Sequence, residues 1–105
     1  MKRAGVMLTA AALVVGGCGE RPELSPLAER GRQAYLTQCP ACHGPDPAQA
    51  GPLGPPVKGS SRELLEAKVL RGTYPPGYRP KRPTSLMPPQ PTLAPDIPAL
   101  AEYLE

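Results

Sequence analysis

Hydrophobic positions divide the chain into an apolar leader and three helical stretches separated by proline-rich segments. Ala4 to Val15 is a short apolar run. Ser25-Pro26 then reads as a helix start, with Ser25 as N-cap and Pro26 in the first helical position. Leu27, Gly31 and Tyr35 follow at four-residue intervals, which predicts one shared face on a helix running to near Cys39. A glycine at position 31 costs about 1 kcal/mol relative to alanine in a helix interior. Its place on the apolar stripe predicts that another helix crosses closely there; the alternative is a tolerated surface glycine. Residues 44–59 carry no helical period and read as loop. Ser60 and Glu63 have capping-box spacing and predict a second helix. Leu64, Leu65, Val69 and Leu70 form its apolar side, and Gly72 closes it. Residues 73–95 hold eight prolines, a density that neither helix nor sheet interior tolerates, so they read as one long ordered loop. The last helix begins near Asp96, has Pro98 in its first turn and lines up Ile97, Leu100 and Leu104, with Tyr103 beside them. No strand alternation appears. The predicted fold class is all-α, with three main helices joined by long Pro/Gly-rich loops.

Composition makes that fold difficult to fill. The 105 residues allow one domain, yet they include 17 Pro, 11 Gly, four Tyr and neither Trp nor Phe. Domains this small usually rely on disulfides, a metal or a cofactor, and here something other than side chains is expected to fill the middle. The net charge of +3 mixes two parts of the chain. Met1-Lys2-Arg3, the apolar run and Val15-Gly16-Gly17 before Cys18 form a secretory signal over residues 1–17, too short for a spanning helix. Cys18 after small residues resembles the lipobox of bacterial lipoproteins, whose cysteine is acylated; the alternatives are an ordinary signal or an uncleaved anchor. From Cys18 onward there are ten basic and nine acidic side chains. No clustered basic excess remains for nucleic-acid binding.

Besides Cys18, the cysteines are Cys39 and Cys42, at C-x-x-C spacing, and His43, the one histidine, follows at once. Cys39-Pro40-Ala41-Cys42-His43 is the attachment pattern of a c-type haem. Two thiols on one turn reach the two vinyl groups, and the next residue directs its imidazole at the iron. A thiol-redox pair would want a strand-helix-strand context, which is not readable here. Zinc would need further ligands. A structural disulfide would leave His43 and the thin core unexplained. Beyond Cys18 the one methionine is Met87, 44 residues after His43 and followed by Pro88-Pro89. A thioether suits haem iron, and a Met/His pair raises the reduction potential; core filling is the alternative role for Met87.

In this order the motifs resemble class I cytochromes c, monohaem proteins, across nearly the whole chain after Cys18. The resemblance rests on Gly31 and Tyr35 ahead of the haem motif and on Leu100 and Tyr103 in the last helix. Gly54-Pro55-Pro56-Val57-Lys58-Gly59 and Met87-Pro88 complete it. It implies that the first and last helices cross at Gly31. It also casts His43 and Met87 as axial ligands and the Pro55 carbonyl as the acceptor for the proximal imidazole. The organisation is then a signal over 1–17, a tether over 18–24 and a cytochrome c domain over 25–105. The tryptophan that the family often sets on a haem propionate is missing; Tyr74, Tyr78, Arg71 and Arg79 are candidates for its place.

The function so implied is single-electron transfer through one covalent haem c, with no enzymatic step, on the extracytoplasmic (periplasmic) side of a membrane that Cys18 anchors. The partners are redox proteins such as a terminal oxidase, a reductase or a dehydrogenase, met as a monomer or within a complex. Arg79, Lys81 and Arg82 are a candidate basic rim for an acidic partner; a solvated loop is the other reading. Alternatives are a haem subunit of a sulfite- or alcohol-oxidising dehydrogenase complex, and a sensor or peroxidase with an open sixth position.

Overall fold

The computed structural model describes residues 23–105, together with the isolated positions 5 and 11. The rest of the signal, Cys18 and most of the tether lie outside the described residues. Helix α1 spans Pro26–Gln38, α2 Pro40–His43, α3 Arg62–Leu65 and α4 Ile97–Leu104. A π-helical turn, Glu66–Leu70, continues α3, and a 3₁₀ segment, Pro91–Asp96, leads into α4. Among the described residues there is no strand, as the all-α reading requires.

Ser25 caps α1 as its sequence predicts: its hydroxyl accepts from the Ala28 N–H at 3.0 Å. The buried stripe of α1 is Ala28, Gly31 and Tyr35, whereas Leu27 is exposed. A row spaced by four residues drifts about 40° per step on a helix of 3.6 residues per turn. Over two steps that drift carries Leu27 off the face that Tyr35 occupies. The crossing predicted at Gly31 is present. A Cβ there would collide with the Ala99 carbonyl and lie 2.9 Å from the Tyr103 Cβ. Helices α1 and α4 thus meet backbone to backbone, forming the principal helix–helix contact. Arg30 and Asp96 add an ion pair at 3.2 Å, exposed enough to be worth under about 1 kcal/mol.

The second helix starts one residue later than its capping box implies. Ser61, not Ser60, is the N-cap, accepting from the Leu64 N–H at 3.1 Å. Ser60 instead donates its hydroxyl to the Val57 carbonyl at 2.5 Å, closing the preceding loop. Leu65 and Val69 are buried from this element. Gly72, at φ +68, ends it as expected, and the Gly72 and Thr73 N–H groups satisfy the carbonyls of Lys68 and Ala67.

The proline-rich stretch departs from the loop reading at its end. Pro91 opens a 3₁₀ segment, and Pro95 sits inside it. Proline is compatible with a helical start because its φ is already near the helical value and its missing N–H would have no partner there. The core consists of Tyr35, Leu65, Val69, Leu93, Ile97, Leu100 and Leu104, drawn from every main element. Six of these seven also face a deep cleft.

Replacing Gly31 with alanine should therefore lower stability by more than about 2 kcal/mol, since neither backbone can yield without separating α1 from α4. A fall of roughly 10 °C in the melting temperature is the expected result. A melting temperature unchanged by Gly31→Ala would show that the two helices do not approach this closely.

Candidate haem site

Helix α2 is a single turn, and its sequence explains why it forms. Pro40 stands at its first position, and the Cys39 N–H still donates to Tyr35 of α1 at 2.9 Å, so α2 grows directly from α1. The His43 N–H donates to Cys39 at 3.0 Å, closing the turn. Gly44 ends it at φ +77, a conformation few other residues adopt. Cys39 and Cys42, three positions apart, therefore lie on one face, with His43 next to them. Both thiols are free, Cys39 half-buried and Cys42 exposed.

The loop over residues 51–57 folds back on this turn. The Leu53 and Gly54 N–H groups both donate to the Cys42 carbonyl, at 3.1 and 2.8 Å. Gly54 is buried flat against the imidazole: a Cβ there would stand 2.5 Å from the Cε1 and Nδ1 atoms of His43. Next in the chain, the Pro55 carbonyl lies 2.8 Å from His43 Nδ1. A carbonyl can only accept, so Nδ1 carries the proton and Nε2 keeps its lone pair, available to a metal. From the other side, the buried Tyr35 hydroxyl donates to the Gly44 carbonyl at 2.7 Å and holds the end of α2.

Cys39, Cys42, His43, Pro55 and Met87 all line the one cleft. Its walls are largely apolar and include Leu65, Val69, Leu93 and Leu100 from the core. Met87, half-buried, packs on that core. No Asp or Glu lines the cleft, whereas Lys68, Lys81 and Arg82 do. Of the four residues considered for the propionates, Tyr74 and Tyr78 reach the cleft; Arg71 and Arg79 are exposed and do not. The two tyrosine rings stack at 5.4 Å, and the Lys68 ammonium lies 4.5 Å above Tyr74. Cys18 lies outside the described residues.

Burial, and then the neighbouring Cys42, push the Cys39 thiol up to about 11. A thiol-redox pair works through a lowered value, so this environment is the reverse of what such chemistry needs. Burial, ahead of the nearby Cys39, Tyr103 and Asp46, likewise raises Tyr35 to about 12, so its hydroxyl stays a donor to Gly44 at any working pH. Among the described residues, no three His, Cys, Asp or Glu side chains gather into a metal site. An apolar cleft, two thiols on one turn and a histidine with Nε2 free together fit a flat, covalently held, iron-bearing group.

Several of these contacts were not foreseeable from residue types. Nothing in the pattern announces the Tyr35 hydroxyl on Gly44, nor that Lys81 donates to the Pro56 carbonyl and Arg82 to the Leu53 carbonyl. The fit of Gly54 under His43 had a signal, the Gly-Pro dipeptide at 54–55, but the sequence reading assigned a role to the proline alone.

The cytochrome c family matches residues 28–105, from the first buried residue of α1 to the last residue of the sequence. No curated protein sequence matches the chain. The match, the four helices and the cleft agree: the chain belongs to the cytochrome c family of electron-transfer haem proteins, whose cofactor is covalently bound haem c with its iron.

Proposed function

We propose that this chain is a monohaem carrier of the class I type that passes single electrons between redox proteins without transforming a substrate. Cys39 and Cys42 would hold the haem through thioethers, and His43 Nε2 and the Met87 sulfur would be its axial ligands. Cycling of the iron between ferrous and ferric supplies the chemistry. The 2.8 Å contact between His43 Nδ1 and the Pro55 carbonyl supports this reading most directly. It fixes the tautomer, aims Nε2 and makes the imidazole a stronger donor to iron. Gly54 supports the ring from beneath, and the Leu65, Val69, Leu93 and Leu100 side chains give the cleft an apolar wall. With His43 and Met87 both holding the iron, no substrate would bind it, and transfer would be outer-sphere through the cleft mouth.

The mouth carries positive charge with no facing carboxylate, which favours a partner with an acidic surface. Signal, Cys18 and the short tether fit a lipoprotein on the extracytoplasmic side, held near membrane oxidases and reductases by two or more acyl chains. Cytochrome c domains are typically extracytoplasmic. Among the described residues, no helix is long and apolar enough to cross a membrane.

Substitutions at Met87 and Cys18 and a salt series test this reading. The oxidised, haem-loaded protein should show a thioether-to-iron charge-transfer band that Met87→Ala abolishes. The same change should lower the reduction potential by on the order of 100 mV, within the span of about 0.8 V that axial ligands command. A band that survives the substitution would remove Met87 from the iron. Cys18→Ser should shift the protein from the membrane to the soluble fraction of a host that processes lipoproteins; unchanged membrane retention would sink the anchor. Reduction by an acidic partner protein should slow about tenfold or more between 0.01 and 0.1 M salt, as the screening length shrinks from about 30 to about 10 Å. Rates indifferent to salt would leave the cationic mouth without a steering role.

A further inference from the structure

The segment that carries Met87 is unusual in how little holds it. Pro80, Pro83, Pro88 and Pro89 have no N–H to donate. Among the described residues, 79–89 make no backbone–backbone hydrogen bond at all; the nearest are Tyr78 to Pro75 on one side and Gln90 to Val69 on the other. Two side-chain contacts take their place. Lys81 Nζ donates to the Pro56 carbonyl at 2.7 Å, and an Arg82 guanidinium nitrogen donates to the Leu53 carbonyl at 3.0 Å. Both acceptors flank Gly54 and Pro55, the residues that support and orient His43.

We propose that Lys81 and Arg82 form a cationic clasp that ties the Met87 segment to the loop behind His43, and so act as positioning residues for the distal side of the site. Each hydrogen bond has a charged donor, which makes it stronger than a neutral one. The two tethers are adjacent in sequence, and their acceptors are three residues apart on the opposing loop, so together they fix both the spacing and the register of the two segments. Prolines keep the unfolded segment stiff and reduce the entropy that the clasp must overcome. Arg79, a third cation in the same stretch, makes no side-chain hydrogen bond among the described residues and serves as the charge control. The consequence for electron transfer rests on the assignment of Met87 as ligand; the clasp itself does not.

Two measurements on the haem-loaded protein separate these levels. In a Met87→Ala background the iron cannot hold the segment through position 87. There, adding Lys81→Ala and Arg82→Ala should speed chymotryptic cleavage after Leu86 about tenfold, because cleavage requires the segment to open locally. Arg79→Ala in the same background should leave the rate unchanged. With Met87 intact, Lys81→Ala/Arg82→Ala should raise the affinity of the ferric protein for imidazole about tenfold, as expected when charged hydrogen bonds no longer favour the closed segment. Lys81→Arg, which keeps a donor at that position, should leave the imidazole affinity close to that of the parent. Cleavage rates indifferent to the double substitution, or raised equally by Arg79→Ala, would overturn the clasp whatever binds the iron. Faster cleavage together with an imidazole affinity already high in the parent and unmoved by the double substitution would uphold the clasp and refute Met87 ligation.

Discussion

The close crossing of α1 over α4 at Gly31 sets the position of everything that follows in the chain. Because the glycine has no side chain, the Ala99 carbonyl can lie where a Cβ would be, and the two helices come together without a spacer. That approach buries Tyr35 against Tyr103, with ring centroids 5.9 Å apart, and directs the Tyr35 hydroxyl to Gly44. Gly44 ends α2, α2 presents Cys39, Cys42 and His43, and the 51–57 loop closes on that turn from the other side. A contact between the two ends of the domain thus reaches the imidazole through a short series of packed groups and hydrogen bonds.

The second constraint is shortage of bulk. Without Trp or Phe, the chain closes a core of one tyrosine and six aliphatic residues and leaves most of it facing the cleft. A covalent haem in that cleft would supply the apolar area that the side chains lack and so tie folding to cofactor attachment. The far wall belongs to a segment too rich in proline to form its own hydrogen-bonded structure. It is held at its C-terminal end by the Gln90 N–H on the Val69 carbonyl, and by the fit of Pro89 beside Gly72. The π turn in residues 66–70 belongs to this arrangement, since it contains Val69, whose carbonyl takes the Gln90 bond.

Much of this was legible in the residues because the signals were local or chemically rare. Ser25-Pro26 fixed the start of α1, Gly72 the end of the second helical element, and Gly31 on an apolar stripe announced a close crossing. The C-x-x-C-H string placed two thiols and an imidazole on one turn. Failures occurred where two residues of one type compete or where geometry decides between similar patterns. Ser60 and Ser61 are chemically alike, and only the loop closure on Val57 shows which one is left to cap. Leu27 fits a four-residue spacing, but helical drift places it in solvent. Pro91 reads as a breaker although it opens a 3₁₀ segment. Lys81 and Arg82 look like surface charge, because a carbonyl acceptor far away in sequence leaves no trace in composition.

The most direct test of this account is a crystal structure of the haem-loaded chain. It should show thioethers from Cys39 and Cys42, His43 Nε2 and the Met87 sulfur on the iron, and His43 Nδ1 still donating to the Pro55 carbonyl. A Cys39–Cys42 disulfide with no attached haem would contradict the attachment of haem through this turn. Attached haem with Met87 packed away from the iron would contradict the closed, outer-sphere carrier.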